Sequence, residues 1–124
     1  MRRKKILLID DSKTILALEQ LLLRPEYDIT TAMDGRTGIT KAVEGQPDLV
    51  VLDMVMPGMT GVMVCKILRR NEATRRIPIV MVTSRTEEKM VKMGYQSGCS
   101  AYITKPIDGP KLLAAIKSCL AGVA

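Results

Sequence analysis

Four short apolar runs in this chain each stop at a polar or charged residue. Residues 6–9 stop at Asp10-Asp11, residues 49–52 at Asp53, residues 79–82 at Thr83, and residues 101–104 at Lys105-Pro106. A run that is apolar at nearly every position suits a strand buried on both faces, as in a parallel sheet. If these strands are parallel, their polar ends gather at one edge. That edge is where open α/β sheets bind ligands. Three carboxylates, a hydroxyl and an ammonium would then share one pocket.

The rest of the chain fits this arrangement. Strand-like segments at 5–10, 28–32, 48–53, 78–83 and 101–104 alternate with helix-like segments at 13–24, 36–44, 61–71, 86–97 and 110–121. Strict alternation predicts repeated βαβ units, a five-stranded parallel sheet and helices on both of its faces, a three-layer α/β/α fold. Pro25, Gly45 and Pro47 fall between segments. Ser84-Arg85-Thr86-Glu87 has the spacing of a capping box ahead of the fourth helix. Gly98 can close that helix in a left-handed conformation, and Asp108 can cap the fifth, with Pro110 in its first turn. The pattern occupies 1–124 as one domain, without repeat or linker, and ends with the fifth helix.

Composition narrows the chemistry. The chain has 124 residues, 47% of them hydrophobic, which is enough for a core between two helical layers. It has no Phe or Trp and nine Met, so aliphatic and thioether groups must fill that core. There is no His, which removes a His base, a His metal ligand or a phosphohistidine within the chain. Cys65, Cys99 and Cys119 lack zinc or disulfide spacing and read as reduced thiols. No apolar run approaches the roughly 20 residues of a membrane span, and the basic start lacks a signal-peptide core. A cytoplasmic protein is expected.

Asp10, Asp11 and Asp53 brought together would carry a formal charge of −3, and like charges this close repel. A divalent cation relieves the conflict, and oxygen donors without His or Cys favour Mg²⁺. Lys105, held before Pro106 where the backbone is restricted and the peptide bond can be cis, would add a fixed cation. Mg²⁺ and an ammonium together suit a phosphoryl group, and Thr83 would add a hydroxyl donor. A carboxylate can itself be the nucleophile, and Asp53 is the natural candidate because Asp10 and Asp11 are placed as a metal-holding pair.

These residues, with Asp53-Met54-Val55-Met56-Pro57-Gly58-Met59-Thr60-Gly61, Thr83-Ser84 and Tyr102-Ile103-Thr104-Lys105-Pro106, make the chain resemble the response-regulator receiver domain of two-component signalling from end to end. The resemblance implies a flavodoxin-like sheet in the order 2-1-3-4-5. It implies that Asp53 accepts a phosphoryl group from a partner sensor histidine kinase or phosphotransfer protein. Asp10, Asp11, Asp53 and the Val55 carbonyl oxygen would organise Mg²⁺, while Thr83 and Lys105 bind phosphoryl oxygens. Thr83 and Tyr102 would then move together and change the partner surface of the fourth helix, fifth strand and fifth helix. The implied protein is a switch, with no catalysis beyond its own phosphorylation and dephosphorylation. Ile107 stands where the family often has Phe. Val55 and Arg85 border the implied entrance for attacking water, so the lifetime of the phosphorylated state is open.

Two other readings compete. A pseudo-receiver would bind partners without phosphorylation, and a small Mg²⁺-dependent phosphohydrolase would use the same nucleophile. The intact constellation argues against the first. The lack of a substrate-binding insertion argues against the second. The formal charge of +6 is expected to collect at the pole opposite the acidic edge, at Arg2, Arg3, Lys4, Lys5, Arg24, Arg69, Arg70, Arg75 and Arg76. Basic groups there complement helix C-termini. Nucleic-acid binding is not expected, because no recognition motif or aromatic platform is present. Lys89, Lys92, Lys111 and Lys117 are expected to make the output face basic.

Overall fold

In the computed structural model, which describes residues 2–122, five strands and five helices alternate along the chain. They are β1 (Lys5–Ile9), α1 (Lys13–Leu23), β2 (Asp28–Ala32), α2 (Gly35–Gly45), β3 (Leu49–Leu52), α3 (Gly61–Arg70), β4 (Ile79–Thr83), α4 (Glu88–Ser97), β5 (Ala101–Thr104) and α5 (Gly109–Leu120). All strand pairs are parallel, and the sheet order is β2-β1-β3-β4-β5. This is the flavodoxin-like order, and the sequence-predicted elements match it to within two residues at each end.

Alternation along the strands builds two cores. Leu7, Ile9, Val50, Leu52, Ile79 and Met81 point to one face, where Ala42 of α2, Val64, Cys65 and Leu68 of α3 and Met90 of α4 cover them. Ile6, Leu8, Leu49, Val51, Val80 and Val82 point to the other, under Leu16 and Leu23 of α1 and Leu112 and Ile116 of α5. Because both faces are covered, the interiors of β1, β3 and β4 are wholly apolar, and polar residues appear only at their ends. That is why the polar groups collect at the strand ends.

Side-chain caps fix where four helices start. Ser12, Asp34, Thr60 and Asp108 each accept a hydrogen bond from the backbone N–H three residues on. The capping box expected ahead of α4 does not form. Glu87 is the N-cap and makes no side-chain cap bond. The loop before it is held instead by Thr83 Oγ1, which accepts from Arg85 N at 3.3 Å, and by the Tyr102 hydroxyl, which donates to the Arg85 carbonyl at 2.7 Å. Residues 84–87 stay outside the helix, with Glu87 itself extended, so α4 begins later than the spacing suggested. Gly98 does end α4 in the left-handed region, at φ 110°.

Candidate functional site

β1 and β3 are neighbours, so their C-terminal ends lie side by side. Asp10 N donates to Ala32 O at 3.1 Å and Asp53 N donates to Ile9 O at 3.0 Å, continuing the ladders by one residue. Beyond that point each carboxylate folds back on its own chain. Asp10 Oδ1 accepts from Ser12 N at 2.9 Å, and Asp53 Oδ1 accepts from Val55 N at 3.2 Å. Thr83 Oγ1 makes the equivalent bond to Arg85 N. Three adjacent strands thus end in the same local turn, with a side-chain oxygen accepting from the residue two positions on. These turns lead the chain away from the sheet and leave the side chains at its edge.

α3 holds the floor of this edge in place. Gly61 N donates to Met54 O at 2.9 Å, drawing the start of α3 against the end of β3. A Cβ at Gly61 would collide with the Asp53 carbonyl oxygen and stand 2.6 Å from the Met54 Cα. Only glycine permits this approach.

Lys105 completes the cluster. Its backbone N–H donates to the Thr83 carbonyl at 2.8 Å, and the Lys105-Pro106 peptide bond is cis. From there Nζ reaches Asp10 Oδ2 at 3.2 Å and Asp53 Oδ2 at 3.4 Å. Asp11 is exposed, yet one of its oxygens lies within 4.8 Å of oxygens of Asp10 and Asp53. The structure therefore brings together Asp10, Asp11, Asp53 and Lys105. Thr83 is fully buried at the end of β4, paired in register with Thr104. Val55 is exposed in the loop immediately after Asp53.

Charge in this cluster is unevenly compensated. Burial pushes the Asp53 carboxyl above the usual range; the Lys105 ammonium pulls it back, and Asp10 pushes it up again. Burial also works against the Lys105 ammonium, but Asp53 and Asp10 outweigh it and hold its pKa above the ordinary value. One ammonium thus serves two buried carboxylates, with a third beside them. An all-oxygen donor set with excess negative charge fits a hard divalent cation, so Asp10, Asp11 and Asp53 are suited to hold one.

A fourth carboxyl stands behind the cluster. Glu19 is 1% exposed on the core face of α1, between Leu16 and Leu23. Burial, and then the charge of Asp10, push its pKa up to about 8. Sequence reasoning did not single it out, because a glutamate in a helix ordinarily faces water. Its spacing from Leu16 and Leu23, three and four residues, was the available signal.

Tyr102 sits on β5, half-buried, against α4. Its ring lies 6.4 Å from that of Tyr95 and fills a notch above Gly94, where a Cβ would come within 2.9 Å of the ring. Through its bond to the Arg85 carbonyl it is tied to the loop that Thr83 also holds. On α4 and α5 the basic charges are partly paired: Lys92 is 3.6 Å from Glu88, and Lys117 is 3.6 Å from Glu26. Lys117 therefore directs its charge to the α1–β2 turn, and the expected basic face is weaker than composition alone suggests.

Residues 6–117 match the model of the response regulator receiver domain. The chain belongs to this family. Receiver domains are regulators that signal through phosphorylation, and they are not turnover enzymes. The chain is 39% identical over 115 residues to the response regulator PleD of Caulobacter vibrioides, covering 92% of this chain and 25% of that protein. It is 37% identical over 117 residues to the DNA-binding response regulator MtrA of Mycobacterium tuberculosis, covering 94% of this chain and 50% of that protein. It thus spans between a quarter and a half of the length of these relatives. The structure of the chemotaxis protein CheY4 of Vibrio cholerae superposes with a TM-score of 0.89 at 30% identity, covering 94% of this chain and 98% of that one. Among the described residues no helix is long and apolar enough to cross a membrane.

Proposed function

We propose that this receiver domain is a phosphorylation-dependent switch in which Asp53 is the phosphoacceptor. The observation that carries this reading is the convergence of Asp10 and Asp53 on one ammonium at the carboxyl edge of the sheet. Asp10 accepts a backbone N–H through one oxygen and Lys105 through the other. Asp53 does the same, but it stands at the centre of the sheet, with its Oδ2 turned to Lys105.

The donor is a phosphohistidine on a sensor histidine kinase or phosphotransfer protein. An Asp53 oxygen forms a bond to phosphorus as the phosphorus–nitrogen bond of the donor breaks. The imidazole leaves with the electron pair and takes a proton. Mg²⁺, when held by Asp10, Asp11, Asp53 and the Val55 carbonyl, supplies positive charge against the carboxylates and the phosphoryl oxygens. Lys105 neutralises charge on the transferred group, and Thr83 offers its hydroxyl to a phosphoryl oxygen. Thr83 Oγ1 accepts from Arg85 N, so its own proton is free to be donated. A shift of Thr83 toward the phosphoryl group would pull on this bond and so on the loop before α4, to which Tyr102 is also bound. A local charge event is thereby coupled to the surface of α4, β5 and α5, where a downstream protein binds. The chain acts in the cytoplasm and does not itself bind nucleic acid. Hydrolysis of the acyl phosphate is its own reverse switch, gated by Val55 and Arg85.

The test is a titration with beryllofluoride and Mg²⁺, followed by the amide signals of the loop and α4. Saturable shifts at residues 83–88 and 102 support the switch. Absence of any response would leave a phosphorylation-independent binding module. Turnover of a panel of phosphomonoesters would favour a phosphohydrolase.

A further inference from the structure

At the pole opposite the acidic edge, Arg69, Arg75, Arg76, Pro78, Ser100 and Cys119 line a pocket of about 330 Å³. Arg69 is built into its wall. Its Nε donates to the Gly98 carbonyl at 2.9 Å, and Nη1 donates to the carbonyls of Arg75 at 3.1 Å and Ile77 at 2.6 Å. All three acceptors are neutral, so the guanidinium is fixed in position while its charge stays uncompensated. Nη2 has no hydrogen bond among the described residues. Gly98 makes this placement possible, since a Cβ there would come within 2.7 Å of the Arg69 side chain. Among the described residues, no carboxylate lies within ion-pair distance of Arg69, Arg75 or Arg76, although Arg2, Arg3 and Lys117 at the same pole all have one. Ser100 Oγ accepts from Ile79 N at 3.2 Å, which leaves its own proton to donate.

We infer that this pocket binds the phosphate group of a small phosphate ester. A rigid guanidinium with Nη2 free, two exposed guanidiniums able to pair bidentately and a hydroxyl donor match the oxygens of a phosphate dianion. The carbonyls at the end of α3 would otherwise repel an anion, and Arg69 and Arg70 in its last turn offset them. The volume exceeds what inorganic phosphate needs and falls at the small end of ligand pockets, the size of a mononucleotide. Pro78 and Cys119 give an apolar wall for the rest of the ester. The site lies at the strand starts, away from Asp53, and does not depend on phosphorylation of that residue.

Amide chemical-shift mapping tests this, with adenosine monophosphate, inorganic phosphate and sulfate added separately in EDTA, so that no divalent cation engages Asp53. The inference requires saturable shifts confined to residues 69–79 and 98–100 with adenosine monophosphate, and binding weaker by about tenfold or more for inorganic phosphate. The double variant Arg75→Ala/Arg76→Ala should fold, because both side chains are exposed, and should weaken binding by about tenfold or more. Three outcomes would overturn it: shifts that never saturate, equal binding by the double variant, or inorganic phosphate and sulfate binding as tightly as the ester.

Discussion

Asp10 and Asp53 make matching contacts: in each, Oδ1 accepts the backbone N–H two residues on, and Oδ2 accepts from the Lys105 ammonium. The symmetry has a physical origin. Each residue leaves a doubly buried parallel strand at the same level of the sheet, and each turns by the same local bond. What distinguishes them is their neighbours. Asp10 is followed by Asp11, which adds a third carboxylate, while Asp53 is followed by the loop to α3.

Removing the Asp11 carboxylate should have opposite effects with and without metal. Asp11→Asn takes away one oxyanion and also one source of repulsion. Mg²⁺ affinity should fall, measured by titration, and the metal-free melting temperature should rise. An unchanged Mg²⁺ affinity would exclude Asp11 from the site. A lower metal-free melting temperature would contradict the repulsion.

Glu19 should make stability depend on pH. Its carboxyl has an ordinary value of 4.5 and a folded value of about 8, so between these the folded chain retains a proton that the unfolded chain gives up. Stability contributed at low pH is therefore lost as pH rises through that window, and the loss levels off above it. Asp10, Asp53 and Lys105 face the same carboxyl, and the two acids act in the same direction as burial. Glu19→Gln should match wild type near the lower bound and melt several degrees higher at the upper one. Parallel melting curves for the two proteins across the window would contradict this.

Gly61→Ala should damage both fold and site. The added methyl group has backbone on its far side, not a movable side chain. Either α3 or the end of β3 must shift, at a cost of about 2 kcal/mol or more in denaturant unfolding. Because Asp53 lies at that end, Mg²⁺ affinity should fall as well. A variant with wild-type stability would show that the approach of α3 is not required.

Thr83 and Tyr102 should be separable. Tyr102→Phe loses the bond to the Arg85 carbonyl, a partly exposed contact worth about 1 kcal/mol. Thr83→Ala should still take up beryllofluoride but lose most of the change at α4, which for coupled two-state elements is about 1–3 kcal/mol. If α4 signals respond fully in Thr83→Ala, the coupling runs by another route.

Most of the fold could be read from the sequence, because strands 1, 3 and 4 are buried on both faces and show it in nearly every residue. The strand-end carboxylates were legible for the same reason: in such strands a polar residue marks the edge. Three features were not. The start of α4 depends on bonds from Thr83 and Tyr102, one of them 17 positions away in sequence, and local spacing pointed instead to Ser84. Glu19 is a charged residue type at a core position, which its neighbours Leu16 and Leu23 reveal only once the helix face is known. Lys117 was assigned to a basic face, but Glu26 lies within reach of it through the packing of α1 beside α5.

The central assignment is that Asp53 receives the phosphoryl group, and intact-mass measurement after incubation with acetyl phosphate and Mg²⁺ tests it directly. Wild type should gain the mass of one phosphoryl group, and EDTA should suppress the gain. Asp53→Asn should gain none, although Asp10, Asp11 and Lys105 remain. Equal labelling of Asp53→Asn and wild type would contradict the account.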